Sequence, residues 1–444
     1  MSRELKDSGV EWIGEIPANW SVEKIKYTTY VKGRIGWQGL KSDEFTDEGP
    51  YLVTGKDFIG KNINWESCHH VSKERYYEAP PIQLKENDLL ITKDGTIGKT
   101  AIVRDMPDKA ILNSGIFVTR SAKYEVDFMY WMLNSQVFDK YIKFFETGST
   151  IKHLYQETFE NFSYPLPTRL EQKKISLFLN RKIKLVDEVI NNKEKMMTLL
   201  EKQRQSIITE AVTKGLNPNV KMKDSGVEWI GEIPEHWEVK RLKNVLDLNP
   251  SKNEVNALKG LRVTFLPMEN ILGPNEVDIS ITKNIEEVYS GYTYFKNNDL
   301  VMAKVTPCFE NGNIAVMQNL ENSIGFGTTE LHVLRAKPKQ NITFYFYLAQ
   351  SAPFKQEGVS AMYGVGGLKR IPSEFIFNYK FARPSVSEQN EIVEFLNEKC
   401  TELESIKKLI NGQIDKLKEY RQSLIYEAVT GKIDVRDMEL DLAR

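Results

Sequence analysis

The feature that most constrains this chain is an internal duplication at a constant offset of 217 residues. An opening repeat, KDSGVEWIGEIPANW (Lys6–Trp20), recurs as KDSGVEWIGEIPEHW (Lys223–Trp237) with thirteen of fifteen positions identical. A closing repeat, RQSIITEAVT (Arg204–Thr213), recurs as RQSLIYEAVT (Arg421–Thr430) with eight of ten identical. Such self-similarity predicts two structurally equivalent halves. Two shorter pairs keep the same offset, namely Glu171-Gln172 with Glu388-Gln389 and Phe178–Asn180 with Phe395–Asn397.

The segments between these repeats barely match. Residues 21–147 and 238–364 share only a coarse pattern, so each half has a constant opening, a variable middle and a constant end. A duplicated enzyme is expected to keep its reactive residues in both middles, or to lose one set. Similar ends with dissimilar middles instead favour a protein that holds two different recognition domains in equivalent positions. The alternative interpretation is a duplicated scaffold whose middles drifted without functional purpose.

The constant ends predict two long helices that pair in an antiparallel coiled coil. Each begins with a capping box of the form S/T-x-x-E, starting at Thr168 and at Ser385. Apolar residues then recur every three and four positions, which is typical of a supercoil, interrupted by Lys193, Arg204, Lys407 and Arg421. Short connectors favour antiparallel pairing, which would place the variable domains at opposite ends. The alternative is two separate helices, each packed on its own domain. The predicted pairing seam comprises Ile183, Val186, Ile190, Met197, Leu200 and Ile207 in the first helix and Leu403, Ile410, Ile414, Leu417 and Leu424 in the second.

The variable middles predict α/β (α+β) domains with short strands. Strands at Asp88–Thr92 and Ala101–Val103 flank a turn at Lys93–Lys99, and the second middle has a similar hairpin from Asn298 to Val316. Aromatic-rich helices are expected at Asp127–Phe145 and Phe344–Phe354. The predicted division is recognition domain 1 at 1–167, spacer helix 1 at 168–215, recognition domain 2 at 216–384, spacer helix 2 at 385–433 and a tail at 434–444.

Basic, glycine-containing loops are the candidate nucleic-acid contacts. Gly148–His153 aligns with Val365–Arg370 near the end of each middle, and an earlier basic loop spans Lys32–Gln38. Small residues let a backbone approach closely, and the cations suit phosphate. The alternative interpretation is that these are solvated turns. The candidate DNA-binding residues are Lys32, Arg34, Trp37, Gln38, Lys93, Thr96, Lys99, Lys152, His153, Lys304, Asn311, Asn313, Lys369 and Arg370.

Composition excludes several classes of protein. Lys+Arg is 60 and Asp+Glu is 61, so a protein that coats nucleic acid non-specifically is excluded and any nucleic-acid surface must be local. The three cysteines lie far apart without a CxxC pair, which argues against a disulfide framework or a structural zinc site. No run of 18 apolar residues and no apolar signal core occur, so we expect a cytoplasmic protein.

Motifs for catalysis are missing from the sequence. GTIGKT (Gly95–Thr100) lacks the first glycine of a phosphate loop, because Lys93 stands in its place. Cys68-His69-His70 could ligate a metal, but no second cluster completes a tetrahedron. No dinucleotide fingerprint, methyltransferase tetrapeptide, nuclease carboxylate motif or serine-hydrolase elbow is found. These absences favour a non-catalytic protein with no catalytic residue, metal or cofactor of its own.

Taken together, these features resemble the specificity subunit of type I restriction–modification systems over essentially the full chain. The resemblance lies in the opening SGVEWIGEIP (Ser8–Pro17 and Ser225–Pro234) and in the domain ends YPLPTRLEQKKI (Tyr164–Ile175) and FARPSVSEQNEI (Phe381–Ile392). The helix endings after Arg204 and Arg421 complete it. The second copy departs at FARPSV, where family members often carry another proline pair.

The resemblance implies a function and a set of partners. Each variable domain would be a target recognition domain that reads one half of a split, asymmetric DNA site, and the helices would fix the gap. The subunit would catalyse nothing itself. It would recruit two methyltransferase subunits that use S-adenosylmethionine, and restriction/translocase subunits that use ATP and magnesium. A coiled-coil scaffold without DNA readout, and a self-contained nuclease or methyltransferase, are the alternatives.

Overall fold

The structure, a computed structural model, describes residues 3–34, 40, 42–146, 153–365 and 367–438. It divides into two compact units, of which unit 1 comprises Met1–Lys193 and Asn411–Arg444. Unit 2 comprises Glu194–Ile410. Both boundaries fall inside the long helices rather than at their ends, because each half of a helix packs on the domain beside it. The division into recognition domains and separate spacers stays a prediction.

Short strands and helices alternate through the first half of the chain. The strands are β1 (Leu5–Asp7), β2 (Glu15–Pro17), β3 (Ser21–Lys24), β4 (Tyr30–Gly33), β5 (Phe45–Val53), β6 (Phe58–Ile59), β7 (Asn62–Ile63), β8 (His69–Val71), β9 (Leu89–Thr92), β10 (Thr100–Ile102), β11 (Ala110–Leu112), β12 (Ile116–Arg120) and β13 (Ser163–Leu166). The helices are α1 (Ile25–Thr28), α2 (Lys73–Tyr77), α3 (Val126–Leu133), α4 (Gln136–Glu146), α5 (Gln156–Glu160) and the long α6 (Arg169–Lys214).

The second half repeats this order. Its strands are β14 (Met222–Asp224), β15 (Glu232–Pro234), β16 (Glu238–Arg241), β17 (Leu246–Leu248), β18 (Arg262–Leu266), β19 (Ile271–Gly273), β20 (Glu276–Val277), β21 (Thr282–Asn284), β22 (Thr293–Lys296), β23 (Leu300–Ala303), β24 (Ile314–Val316), β25 (Ile324–Gly327), β26 (Leu331–Ala336), β27 (Tyr363–Val365), β28 (Leu368–Arg370) and β29 (Lys380–Arg383). Its helices are α7 (Ile285–Val288), α8 (Ile342–Gln350), α9 (Ala352–Ser360), α10 (Ser373–Asn378) and the long α11 (Val386–Val429). The predicted mixed class is confirmed.

The two middles share a central antiparallel sheet, although their sequences barely match. The strand order is β10-β9-β12-β4 in unit 1 and β24-β23-β26-β17 in unit 2. Both predicted hairpins are present, since β9 pairs with β10 and β23 with β24. The loop that resembles a phosphate-binding motif therefore joins two strands, as expected.

A second sheet in each unit contains a parallel strand pair that the sequence did not predict. β5 pairs with β11 in unit 1, and β18 pairs with β25 in unit 2. β8 and β21 extend these sheets on the antiparallel side. Parallel strands are joined by long crossovers, so no local turn signal marks them in the sequence.

The central strands are buried on both faces. In β9, Leu89 and Ile91 belong to the cluster under α3 and α4, while Leu90 belongs to the cluster against the second sheet. In β23, Leu300 and Val301 divide in the same way. Because side chains alternate across a strand, each central strand holds two hydrophobic layers together and fixes the loop that follows it.

The predicted aromatic helices are each broken in two. Ser135 separates α3 from α4, and Ser351 separates α8 from α9. Both serines are fully buried, and their hydroxyls donate to the carbonyls of Met132 and Leu348. In the second break Pro353 also lacks the amide that a continuous helix needs. The single predicted spans were therefore wrong at these positions.

The long helices begin and end through local chemistry. At the start of α6, Glu171 and Thr168 bond reciprocally at 3.3 Å, as the predicted capping box requires. Ser385 and Glu388 do the same for α11. Gly215 and Gly431 follow the helix ends in the left-handed conformation with φ of +76°, which a glycine adopts readily. The second helix thus stops at Val429, short of its predicted limit.

The helices run antiparallel within each unit. In unit 1, Arg421 donates to Asp187 at 2.9 Å, and Lys193 donates to Gln413 at 2.6 Å. The later residue of α6 therefore pairs with the earlier residue of α11, which is the order expected for antiparallel helices. In unit 2, Lys407 pairs with Glu201 at 3.2 Å, and the end of α6 shares a core with the start of α11. The charged residues that interrupt the seam thus bond across or beside it. All eleven predicted apolar seam residues are buried or half-buried.

Three joints attach each recognition domain to the start of its own helix. The indole nitrogens of Trp20 and Trp237 donate to Glu171 and Glu388 at 3.2 and 3.0 Å. The other two joints use the remaining repeated polar residues. Gln172 and Gln389 accept from the amides of Glu125 and Asn341, and Asn180 and Asn397 accept from Trp131 and Tyr347.

These joints use eight of the repeated residues. Of the six polar acceptors, Glu171, Gln172 and Gln389 are buried, Asn180 and Glu388 are half-buried and Asn397 is exposed, and each has a partner in its own unit. These repeated residues therefore help to attach each domain to its helix.

Among the described residues, no helix combines the length and apolar composition needed to cross a membrane.

Candidate nucleic-acid interface

In unit 1, three backbone segments meet where the central strand ends. The Lys93 amide donates to the Gly115 carbonyl at 2.8 Å, and the Lys93 carbonyl accepts from Leu154 at 2.8 Å. The loop after β9, the start of β12 and the segment before α5 are thereby locked together. Lys93 itself is half-buried, with its ammonium 5.5 Å from the Phe117 ring.

Unit 2 repeats this junction with different side chains. The Lys304 amide donates to Glu330 at 3.0 Å, and its carbonyl accepts from Ile371 at 2.8 Å. Lys304 therefore occupies the place of Lys93, although the offset here is no longer 217. The structure places these two predicted lysines at equivalent positions. The sequence alone does not show this equivalence, because loops of different length precede the two lysines.

In each unit, a carboxylate contacts a further candidate DNA-binding residue close to the junction. His153 contacts the carboxylate of Asp94, and Arg370 forms two bonds with Glu330 at 2.9 and 3.0 Å. The hydrogen bond from Arg370 lowers the pKa of the Glu330 carboxyl. Both side chains are thus held in place by a carboxylate, and Glu330 partly offsets the positive charge of Arg370.

A cleft of about 620 Å³ opens beside the junction of unit 1. Two of the candidate DNA-binding residues, Thr96 and Lys99, line this cleft. Lys99 donates to the Gly55 carbonyl at 3.2 Å, which directs its ammonium along the cleft wall. Its polar lining comprises Thr54, Lys56, His69, Thr92, Asp94, Thr96, Lys99 and Asn113.

A smaller cleft of about 440 Å³ lies beside the junction of unit 2. Its lining includes the junction residue Lys304, whereas Lys93, the equivalent residue of unit 1, does not line the larger cleft. The loop after β17 supplies one wall, and Lys252 there donates to the Tyr289 carbonyl at 2.7 Å. The polar lining comprises Asn249, Ser251, Lys252, Asn253, Tyr292, Thr293, Tyr294, Lys304 and Thr329.

The basic loop at the end of β4 is only partly described. Lys32 is exposed, with its ammonium 6.0 Å from the Tyr30 ring. Arg34 is 5% exposed and donates to the Leu112 carbonyl at 3.0 Å, and burial is the main cause that lowers its pKa. This burial is at odds with the predicted DNA contact. Trp37, Gln38 and Lys152 lie outside the described residues.

The remaining candidates of unit 2 divide between surface and interior. Asn311 and Lys369 are exposed. Asn313 is half-buried, and its amide nitrogen donates to the Ile271 carbonyl at 2.8 Å, so that atom serves the fold. The Lys369 backbone amide donates to the hydroxyl of Thr306 at 2.9 Å, which ties the β27–β28 hairpin to the loop after β23.

Sequence reasoning missed several residues of the two clefts. In unit 1 these are Lys56, His69 and Asn113, which come from the loop after β5, from β8 and from the loop after β11 and lie far apart in the sequence. In unit 2 a signal was present, since the offset of 217 maps the basic loop from Lys32 onto Asn249 and the residues after it. Polar residues there could have been proposed by the repeat alone.

No group of three or more His, Cys, Asp or Glu side chains is arranged to hold a metal ion within the ranges that the structure describes. Cys68 is buried, and this burial together with Asp57 raises the pKa of its thiol to about 12. It packs in the core against the second sheet.

Comparison with known proteins assigns the chain to a class. The family model of the type I restriction modification DNA specificity domain matches residues 38–196 and 234–418, once in each half. The chain belongs to this family, and it is a specificity subunit with two target recognition domains. Its relatives are named specificity subunits, the non-catalytic members of their complexes.

Individual relatives differ in how much of the chain they match. The specificity subunit of the type I enzyme MjaVIII from Methanocaldococcus jannaschii is 26% identical over 95% of both chains. That of EcoAI from Escherichia coli is 38% identical, but the match covers 36% of this chain and 28% of the relative.

Solved structures support the fold. One chain, from work on complex assembly and conformational transition of the type I restriction–modification system, has a TM-score of 0.68 at 14% identity and covers 94% of this chain and 99% of its own. The HsdS subunit from Thermoanaerobacter tengcongensis has a TM-score of 0.51 at 16% identity and covers 94% and 98%.

Proposed function

We propose that this chain selects the DNA target of a type I restriction–modification complex. Each recognition domain reads one half of a bipartite, asymmetric site, and the antiparallel helices set the gap and dock two methyltransferase subunits. One observation carries the proposal: a cleft lies beside the equivalent junction of each unit, on sheets with the same strand order, and the two clefts are lined by different polar side chains. An identical frame supports equivalent placement on DNA, and different linings support different sequences.

The chemistry of the clefts suits the edges of base pairs. The major groove distinguishes all four base pairs through patterns of donors, acceptors and the thymine methyl group. Lys56, Lys99 and Asn113 offer donors in the first cleft, and Asn249 and Asn253 offer amides in the second. We infer that these residues, with Lys93, Thr96, Lys304, Asn311 and Lys369, contain the base and phosphate contacts.

The net charge of −1 is compatible with this function if partners share the contacts to phosphate. We propose that S-adenosylmethionine belongs to the methyltransferase subunits, and ATP and magnesium to restriction/translocase subunits. This chain then needs no cofactor, and the complex acts in the cytoplasm, where its DNA lies.

Sequencing of modified bases in cells that carry this chain and its partners would reveal both half-sites and the gap. A gel shift with the methyltransferase partner, using that duplex and a scrambled one across a salt series, then tests readout directly. We expect the preference for the specific duplex to persist as salt weakens both complexes. Equal affinity for both duplexes at every salt concentration would favour a scaffold without DNA readout.

A further inference from the structure

The β27–β28 hairpin of unit 2 carries large apolar side chains on its surface. Its register pairs Tyr363 with Arg370 and Val365 with Leu368, so these four side chains share one face of the hairpin. Val365 is 89% exposed, and Tyr363 and Leu368 are each more than half exposed. Apolar groups that stay in water contribute little to folding, and a cluster of them marks an interaction site. The exposed face of this hairpin therefore indicates a binding surface.

The same hairpin is basic. Its sequence, YGVGGLKR (Tyr363–Arg370), contains two cations and no acidic residue. Because Lys369 pairs with Gly364, its side chain lies on the face opposite Leu368 and Arg370. Gly364 has φ of +146°, and a Cβ there would collide with the carbonyl oxygen of Leu368, so only glycine fits beside Lys369. The hairpin therefore has one face that is mainly apolar and a second face on which a lysine extends into solvent.

The hairpin is anchored to the junction beside Lys304. The Thr306 hydroxyl donates to the Gly367 carbonyl at 2.7 Å and accepts from the Lys369 amide at 2.9 Å. The Thr306 amide donates to the Lys369 carbonyl at 3.0 Å, and the Ile371 amide donates to the Lys304 carbonyl at 2.8 Å. Bonds at both ends of β28 thus attach the hairpin to the loop that follows the central strand.

Arg370 has donors that its ion pair does not use. Its Nε and Nη2 atoms donate to Glu330 at 2.9 and 3.0 Å. A guanidinium has five N–H donors, so these two bonds leave three, which lie on Nη1 and Nη2. Two neighbouring N–H groups of this kind match the O6 and N7 acceptors of guanine. At the equivalent position of unit 1, His153 bridges to Asp94, and an imidazole has no such pair of donors.

We propose that this hairpin enters the major groove of the half-site that unit 2 reads, where Arg370 contacts a guanine and the apolar face contacts thymine methyl groups. The major groove is about 12 Å wide and admits a two-stranded ribbon. A protein partner would also cover an apolar face, but the two cations without an acidic neighbour in the hairpin favour a polyanion. Lys369, on the other face, is placed for a phosphate. The inference rests on the proposed function and assigns the element, the groove and the bases.

Base analogues test the guanine contact. Replacing each guanine of the target in turn by 7-deazaguanine removes one acceptor, N7, from the major-groove edge. In a gel shift with the methyltransferase partner, we expect one position at which this replacement weakens binding about five- to thirtyfold. Arg370→Ala should weaken binding of the unmodified duplex by a similar factor and remove the effect of 7-deazaguanine at that position. Unchanged sensitivity of Arg370→Ala at every guanine would overturn the proposal, and so would the absence of any G·C pair from both half-sites.

Uracil tests the apolar face, since it lacks only the methyl group of thymine. At one or more thymine positions, we expect uracil to weaken binding about three- to fivefold. The double replacement Val365→Ser and Leu368→Ser should remove this sensitivity. Leu272→Ser is the matched control, because Leu272 is a 60% exposed leucine of β19, and it should leave the sensitivity unchanged. A double variant that responds to uracil as the unaltered chain does would contradict the proposed contact.

Lys369→Ala is the control on the opposite face of the hairpin. Loss of a phosphate contact should weaken specific and scrambled duplexes equally and reduce the salt dependence by about one unit of slope. A sequence preference that no hairpin variant alters would refute the hairpin and leave the proposed function intact, whereas no preference in the unaltered complex would refute both. If the double serine variant fails to assemble with the methyltransferase partner in sedimentation, the face binds protein and DNA is the wrong occupant.

Discussion

At the scale of single residues, one glutamate in each half connects three parts of the molecule. Glu388 caps α11, accepts from the Trp237 indole at 3.0 Å and pairs with His236 at 2.6 Å. Burial opposes its ionisation, yet the bonds from His236, Trp237 and Ser385 outweigh burial and lower the pKa of its carboxyl to about 2. Glu171 repeats this role in the first half, where Arg3 replaces the histidine.

The replacement Glu388→Gln should therefore destabilise the chain in a pH-dependent manner. A carboxyl whose pKa is depressed on folding stabilises fully above its unfolded value, near 4.5, and this stabilisation is lost as pH falls toward 2. We expect a loss of about 1–3 kcal/mol above pH 5 that shrinks on acidification. Thermal unfolding at pH 7, 5, 4 and 3 measures it, with the exposed Glu394→Gln as control. A loss that stays constant down to pH 3 would contradict this account.

In each unit, a buried aspartate forms an ion pair with an arginine, and the dissimilar sequences of the two variable middles do not reveal that these pairs are equivalent. Asp299, 1% exposed, accepts two bonds from Arg335 at 2.6 and 2.7 Å and one from the Lys296 amide at 2.8 Å. Asp88 makes the equivalent bonds with Arg120 and the Lys85 amide. Each pair clamps the start of the central strand to the end of its neighbouring strand. The two variable middles therefore share this structural contact although their sequences differ.

Removing the buried partner of this clamp leaves the Arg335 guanidinium paired with the more exposed Glu254 alone. Asp299→Asn should cost about 3 kcal/mol, since breaking a buried pair is far more costly than breaking an exposed one. Asp247→Asn is the control, because Asp247 is 61% exposed and lies 3.6 Å from Lys337; it should cost less than about 1 kcal/mol. Denaturant unfolding compares them, and equal stability of the two variants would refute the clamp.

At the scale of elements, the long helices are the spacers of the proposed function. Their seam is mixed, because apolar positions such as Ile190 and Ile410 alternate with Lys193 and Lys407. The lysines bond to Gln413 and Glu201 in their own units. Each such contact fixes the register of the pairing as well as its direction, at some cost in stability.

Lengthening both helices tests the spacer. One heptad inserted after Leu200, with a matching heptad after Lys407, adds about 10 Å while keeping the seam in register. We expect the gap between the methylated half-sites to grow by about 3 base pairs, given a rise of about 3.4 Å per base pair. The insertion after Leu200 alone breaks the register and should reduce specific binding, with both domains still folded. An unchanged gap in the double insertion would show that the helices do not set the distance.

At the scale of the whole molecule, the duplicated residues attach the recognition domains to the helices, and residues that are not duplicated line the clefts that we propose to contact DNA. The joints of Trp20, Gln172 and Asn180 recur at Trp237, Gln389 and Asn397, each 217 residues later. The clefts beside Lys93 and Lys304 share only their place on the sheet. A reader can therefore change its lining without disturbing how it is attached.

Exchange of residues 21–147 for the same segment of another family member should thus change one half of the methylated site and leave the other half and the gap intact. The reciprocal exchange of 238–364 is the matched control and should change the other half. Sequencing of methylated bases measures both. A change in both halves from a single exchange, or in neither, would disprove independent readers.

The sequence by itself determined the duplication, the capping boxes, the helical seam and the two hairpins, because these depend on repetition or on neighbours a few residues apart. Its α/β class and its family resemblance followed from the same patterns.

Only the tertiary structure decided the parallel pairing of β5 with β11, the clamp between Asp88 and Arg120, and the burial of Arg34. It also decided that Val435, near the end of the chain, is fully buried in the core of unit 1. The physical reason is that burial and long-range pairing depend on groups distant in sequence, and a local pattern contains no information about which distant group arrives.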